Sequence, residues 1–301
     1  MKKSLFLFSG ILALSLTVNA QELKEEYMTW PNSQKLGEYV SNWKPGEYLF
    51  EDENFYISRV KPKARFRNAN TQINETLTEE TDKKLVFWVP IGTSSDGNPN
   101  ARPNGKFDSE AFSMWSYVTH YGNWTAPQGW VPGSFADAAH KNGVGVSGVA
   151  SVPWGGLGSD WNTALTAMGN ADKEKMAKFL LYHGVDGLGY NSEFSGGSST
   201  FLPKLRELHE YIHKYLTEHG NPVAENFWYD GTNDNGQISF DQGLGDHNND
   251  TFGDGEHIRT SLFLNYNWDN YGPFSTFTEE NLKSKAPGRS MLDLYAGFNM
   301  Q

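Results

Sequence analysis

The chain has 301 residues, a formal net charge of −11 from 25 Lys and Arg against 36 Asp and Glu, 14% aromatic residues, 31 glycines and no cysteine. So acidic a chain supplies no field for gathering phosphates, which sets nucleic acid aside as a partner, and the missing thiols exclude disulfides, thiolate metal sites, cysteine nucleophiles and a lipidated cysteine. The length suits one barrel-sized domain, and many glycines and aromatic rings describe a loop-rich surface with flat apolar faces of the kind carbohydrate binds.

Residues 1–20 begin with Lys2 and Lys3, continue as an apolar run from Leu5 to Leu16, and end in Val18-Asn19-Ala20 before Gln21. A basic start, a short apolar run and a small-x-small site make a signal peptide, so cleavage after Ala20 and a secreted or periplasmic product are expected. The run is shorter than the ~20 apolar residues that span a bilayer and no later stretch is long enough, so no transmembrane anchor is expected in the mature chain. Residues 21–82 form a polar lead-in containing Pro45, Gly46, Pro62 and ETLTEETDKK. No sustained period of two or 3.6 runs through it, so it receives no assigned element.

Residues 83–301 are different. Apolar runs rich in strand formers recur, each closed by loop residues: LVFWVP (85–90), WSYVTHY (115–121), VGVSGVA (144–150), VDGLGYN (185–191), VAENFWYD (223–230), TSLFLNYN (260–267) and MLDLYAGF (291–298). Helical patterns lie between several of them. Ala171 to Tyr182 places Met176, Phe179 and Leu180 on one stripe with lysines opposite, and Gly184 follows as a stop. Pro203 to His219 repeats Leu205, Leu208, Ile212, Tyr215 and Leu216 along one face, with Ser198 to Thr200 available as a cap and Gly220 as the exit. Alternating strands and helices imply parallel strands covered by helices. Seven such runs suit an α/β fold of the (β/α)8 TIM barrel type better than an open doubly wound sheet. No glycine-rich phosphate loop follows an early strand, which removes the usual dinucleotide signal. The chain stops at Gln301 after the seventh run, so the barrel is expected to be incomplete at its carboxyl end, truncated before strand 8. Either the chain is a fragment of a longer protein or the lead-in closes the gap.

In DGLGYNSE (186–193) a period of two sends Gly189, Asn191 and Glu193 to one face and Leu188, Tyr190 and Ser192 to the other. Glu193 comes last, at the carboxyl end of its strand, where barrels place their chemistry. Spacing alone equally describes an exposed glutamate ending a strand beside a structural asparagine. The stretch nevertheless resembles the catalytic strand of glycoside hydrolase family 85, the endo-β-N-acetylglucosaminidases, in which Asn and Glu stand two apart after Asp-Gly. It is also similar to the Asp-Gly-x-Asp-x-Asp-x-Glu strand of family 18 chitinases, with Asn191 at the last Asp. WSYVTHYGNWTAPQGW, AHKNGVGVSG, GVDGLGYNSE, FWYD, NGQISF, FLNYNW and LYAGF resemble successive family 85 segments, in order.

The resemblance implies hydrolysis of the GlcNAc-β-1,4-GlcNAc bond in the core of N-linked glycans. It implies a retaining, substrate-assisted route in which the sugar's own 2-acetamido oxygen attacks the anomeric carbon and forms an oxazolinium-like intermediate. On that pattern Glu193 is the acid and base, Asn191 orients the acetamido group, and Tyr229 helps to hold it. Trp130, Phe240, Asn265, Tyr266 and Trp268 lie in matching segments as candidate substrate contacts. Trp228 and Asp230 are added as neighbours of Tyr229, although alternation turns them to the opposite face. Aromatic planes suit the C–H faces of sugars, yet with 10 tryptophans in the chain most must be core. No cofactor and no metal are implied, and the implied partners are N-linked glycans or glycoproteins. An amide at position 191 cannot repel Glu193 as a second carboxylate would, so keeping the acid protonated falls to desolvation by aromatic walls.

Two departures keep a glycan-binding protein without turnover as an alternative. FWVPIGTSS stands where the family usually has a His-Asp-Met run, and Phe240 replaces a common tryptophan. A third reading comes from His209-Glu210-Tyr211-Ile212-His213, the H-E-x-x-H pattern of zinc peptidases. Its helix buries Leu205, Leu208, Ile212 and Leu216, which is expected to leave both histidines on a solvent-facing flank, and no third ligand is evident. The Asp- and Asn-rich run 230–254 fails the EF-hand spacing because Asn235 stands where the invariant glycine belongs. Asn235-Gly236 reads as a two-residue hairpin turn of the primed type.

Overall fold

The computed structural model describes residues 35–48, 51–65, 83–89, 112–124, 128–240, 243–266 and 278–298. Every one of the seven apolar runs contributes a strand: β1 (Val86–Val89), β2 (His120–Trp124), β3 (Gly145–Gly156), β4 (Gly189–Ser195), β5 (Phe227–Tyr229), β6 (Ser261–Leu264) and β7 (Leu294–Ala296). Neighbours in sequence are neighbours in the sheet, and all six pairings are parallel. Parallel neighbours need a return crossover. Helices α2 (Gly133–Lys141), α3 (Ser159–Asn170), α4 (Lys173–His183), α5 (Leu202–Glu218), α6 (Asn249–Phe252) and α7 (Glu279–Lys285) lie in those returns, and α1 (Leu36–Asn42) precedes the sheet.

The sheet is rolled rather than open. The ring of Trp88 on β1 lies 4.9 Å from that of Phe263 on β6 and 6.2 Å from that of Phe227 on β5. On a flat sheet β1 and β6 would stand ~24 Å apart at the usual strand spacing. Side chains from the first and sixth strands therefore meet across an interior. Among the described residues no strand pairs with both β1 and β7, so a seam remains between them, as expected for an incomplete barrel. At its amino end the seam is bridged by Lys84, whose Nζ lies 3.2 Å from Asp293.

Local chemistry explains the helix ends. In α4, Asp172 accepts the N–H of Lys175, Gly184 adopts the left-handed conformation at the exit, and Met176, Phe179 and Leu180 form the expected buried stripe. The expected Ser198 to Thr200 cap of α5 is not used. The N–H groups of Thr200, Phe201 and Leu202 converge instead on the Gly197 carbonyl at 3.1, 3.2 and 3.0 Å. Pro203 sits in the first turn and removes one of the orphan donors that a cap would serve.

The buried face of α5 is also wider than expected, since Leu205, Leu208, His209, Ile212 and Leu216 are all covered. His209 lies against Tyr190 of β4, 5.2 Å ring to ring, and 6.4 Å from Trp228 of β5. The expectation that it faces solvent is therefore wrong, because a helix lying on a sheet buries positions i, i+3 and i+4 together. Burial holds the imidazole neutral and pushes its pKa down to about 3. Glu210, on the outer side, pairs instead with His257 at 2.8 Å and Arg259 at 3.3 Å. Among the described residues no cluster of His, Asp and Glu has metal-binding geometry.

The lead-in contains regular structure despite its polar composition. In α1, Leu36, Val40 and the following Trp43 recur at i, i+4 and i+7 and are buried. Trp43 packs edge-on against Phe179 of α4 at 5.3 Å, and Glu53, from a 3-10 turn at Glu51–Tyr56, meets His183 at 2.7 Å. Among the described residues no helix is long and apolar enough to cross a membrane.

Candidate active site

Strand β4 separates its side chains as its alternation requires. Tyr190 is buried beneath the helices against His209 and Trp228. Asn191 and Glu193 share the opposite, inward face, and Asn191 Nδ2 donates to Glu193 Oε2 at 3.1 Å. Asn191 is 7% exposed, while Glu193 is half-buried at the carboxyl end of the strand. With Nδ2 turned to the carboxylate, Oδ1 is the atom of Asn191 that can accept an N–H from a ligand.

Tyr229 comes to the same place from β5. Its ring is 5.1 Å from Phe263, 6.1 Å from Phe240 and 6.3 Å from Tyr266. Burial, reinforced by the nearby Tyr266, Glu193 and Asp230, pushes its phenol pKa up, so the hydroxyl stays protonated as a donor. Burial and Glu193 push the phenol of Tyr266 up as well. The chain comes close at Gly231, where a Cβ would stand 2.5 Å from the Ser192 carbonyl oxygen and 3.2 Å from Glu193 Cγ. Only glycine lets the loop after β5 lie against the acid in this way.

The structure thus brings together Asn191, Glu193, Tyr229, Phe240 and Tyr266. Asn265 adjoins them at the end of β6, with its Oδ1 accepting the N–H of Tyr266. Trp268 lies outside the described residues. The other three expected contacts lie elsewhere. Trp130 is fully buried between Tyr39 and Phe179, with its Nε1 directed at Glu53. Trp228 packs under the helices, and its Nε1 donates to the Thr232 carbonyl at 2.9 Å. Asp230 is fully buried and accepts Asn248 Nδ2 at 2.8 Å. Alternation already turned Trp228 and Asp230 away from Tyr229, and Trp130 packs with Tyr39 and Phe179 rather than with the carboxyl site.

Three aromatic residues not singled out in the sequence, Trp88, Trp124 and Phe263, join Tyr266 in lining a cavity of about 850 Å³ that runs along the seam between β1 and β7. Asn191 and Glu193 are not in its walls, so it adjoins the carboxyl site through Tyr266 rather than enclosing it. Alternation within LVFWVP and TSLFLNYN could have singled out Trp88 and Phe263, but which face turns inward depends on the rolled sheet.

The hairpin after β5 also differs from expectation. Gly236 N–H donates to the Asn233 carbonyl at 2.9 Å and Asn233 N–H to the Gln237 carbonyl at 2.9 Å, with Gly236 at φ 66°. This is a three-residue loop closed by a left-handed glycine, not a two-residue primed turn. Asn233 Oδ1 stabilises it by accepting the N–H groups of Asn235 and Gln237, both at 3.0 Å.

The arrangement offers one carboxyl that can exchange a proton, one amide that can orient a polar group, a phenolic donor and aromatic walls. No curated protein matches the sequence. Among solved structures, the crystal structure of a glycoside hydrolase domain, Endo-D, from Streptococcus pneumoniae R6 matches with a TM-score of 0.65 and 23% sequence identity over 88% of this chain. The match covers 41% of that structure's chain, and at this identity it shows a shared fold. The family model described as glycosyl hydrolase family 85 matches residues 94–301, well over half of the chain. By that match, which includes the inward-facing Asn191 and Glu193, the chain belongs to glycosyl hydrolase family 85.

Proposed function

We propose that the chain is an endo-β-N-acetylglucosaminidase that hydrolyses the GlcNAc-β-1,4-GlcNAc core bond of N-linked glycans with retention at the anomeric carbon. The observation that carries this reading is the 3.1 Å contact of Asn191 with Glu193 on the inward face at the carboxyl end of β4. In a barrel that is the end at which substrates bind. The family match and the fold shared with Endo-D support it.

In the first step the 2-acetamido oxygen of the bound sugar attacks the anomeric carbon while Glu193 gives its proton to the departing glycosidic oxygen. Asn191 Oδ1 accepts the acetamido N–H as positive charge builds there, and the Tyr229 hydroxyl donates to the acetamido group and holds it in line. In the second step Glu193, now a carboxylate, takes a proton from water, which opens the oxazolinium intermediate at the anomeric carbon. General acid–base help of this kind is worth ~10²- to 10⁴-fold. Phe240 and Tyr266 offer flat faces beside the reacting sugar. Export by cleavage after Ala20 belongs to the same reading, since N-linked glycans occur on extracellular proteins.

Incubating the protein with a high-mannose glycoprotein and weighing the product tests the proposal. A polypeptide that keeps a single N-acetylglucosamine per site is the expected result. Untouched glycoprotein held in a tight complex would favour a glycan-binding role, and untouched, unbound glycoprotein would end both readings.

A further inference from the structure

Backbone pairing between β4 and β5 stops short of the acid. The ladder contains only Gly189 with Phe227 and Tyr190 with Trp228. Beyond it two side-chain hydroxyls take over. Ser192 Oγ donates to the Tyr229 carbonyl at 2.6 Å. Thr232 Oγ1 accepts the Phe194 N–H at 2.8 Å and donates to the Phe194 carbonyl at 2.8 Å, so one hydroxyl serves both backbone polar groups of Phe194. Ser192 and Thr232 are both buried. Glu193 is the residue between these two attachments.

Thr232 is itself fixed. Its carbonyl receives the Trp228 indole N–H at 2.9 Å, and it bridges to Ile238 across the hairpin. The absent side chain at Gly231 brings this loop against Ser192 and Glu193. A continued backbone ladder would have tied alternate residues of β4 to β5 through main-chain groups alone. The hydroxyls instead pin the residues on either side of Glu193 and leave the carboxyl facing Asn191.

We infer that Thr232 is a positioning residue, whose hydroxyl holds the Phe194 peptide and thereby sets the Glu193 carboxyl against Asn191. The inference rests on the proposed glycosidase reading for its kinetic consequence, but its geometric consequence stands apart from it. A shift of ~1 Å in a reacting group can cost on the order of 10²-fold in rate. Thr232→Val keeps the shape and removes the hydroxyl, so kcat should fall about 10- to 100-fold with KM unchanged, and the alkaline limb of the pH–rate profile should move. Thr232→Ser should restore kcat to within a few-fold.

A variant as active as the parent, with the same pH profile, overturns the inference. So does a loss that follows thermal stability alone and is not rescued by serine. If Thr232→Val does not fold, Trp228→Phe loosens Thr232 by removing the indole N–H, and an unchanged kcat there has the same meaning. If the parent releases no glycan, the glycosidase reading fails separately. The inference is then decided by the crystal structure of Thr232→Val: an Asn191–Glu193 contact lengthened beyond hydrogen-bonding distance supports it, and an unchanged contact overturns it.

Discussion

The two ends of this barrel treat carboxyl groups in opposite ways. At the amino ends of the strands, Lys84 lies 3.3 Å from Glu225 and 3.2 Å from Asp293, and Arg289 lies 3.1 Å from Asp293. Tyr295 and Ser261 donate to Glu225 at 2.8 and 2.6 Å. Burial opposes the charge on Asp293, but Lys84 and Arg289 outweigh it and hold the carboxyl below its usual range. At the carboxyl ends, Glu193 is met by the neutral amide of Asn191, and among the described residues no lysine or arginine pairs with it. Asp293 is held between two cations, whereas Glu193 faces a neutral amide. The ion pairs lie at one end and the amide–carboxyl pair at the other.

The sharpest way to break that contrast is Glu193→Gln. Glycan release should fall ~10²- to 10⁴-fold while the urea unfolding midpoint stays where it was. Full turnover in this variant would remove Glu193 from its assigned role. The complementary change, Glu225→Ala, strands Lys84, Tyr295 and Ser261 around a missing acceptor. It should cost about 2–4 kcal/mol in urea unfolding and leave kcat within about twofold. A large loss of kcat at full stability would show that the two ends are coupled.

Asn191→Asp sharpens the comparison by making the carboxyl end resemble the other. Two carboxylates ~5 Å apart at an effective dielectric of ~20 repel by about 3 kcal/mol, and retaining the proton on one of them relieves this. The alkaline limb of the pH–rate profile should move up by about one to two units. An unmoved limb would mean that solvent screens the pair.

A last contrast concerns stability in acid. His120 and His209 are buried neutral, and burial pushes each down to about 3. Between pH ~6.5, where the unfolded chain takes up these protons, and pH 3 the folded form binds fewer of them. Stability is therefore fully present above pH ~6.5 and declines as the pH falls through that window. His209→Leu should flatten the decline by up to one proton, read as the slope of unfolding free energy against pH. An unchanged slope would mean that the site takes up its proton without unfolding.

Much of the frame was legible beforehand. Each of the seven apolar runs overlaps a strand because alternation, β-branched or aromatic residues and flanking turn formers agree locally, although β2 shares only His120 and Tyr121 with its run. Asp172 and Gly184 bound α4 for reasons contained within a few residues of chain. The less legible features depended on partners far away in sequence. His209 looked solvent-facing until a sheet lay across a wider face of its helix. Trp130 looks the same in sequence whether it faces a sugar or a core, and Thr232 acquires its meaning from the backbone of Phe194, 38 residues earlier.

Sequence alone determined that Asn191 and Glu193 share one face of a strand while Tyr190 and Ser192 share the other, because side-chain direction alternates with the backbone itself. The tertiary structure decided which face is inward, which aromatic rings reach the interior and which carboxyls are neutralised. Those outcomes depend on how the sheet rolls and on which distant charges and hydroxyls it brings within a few ångströms.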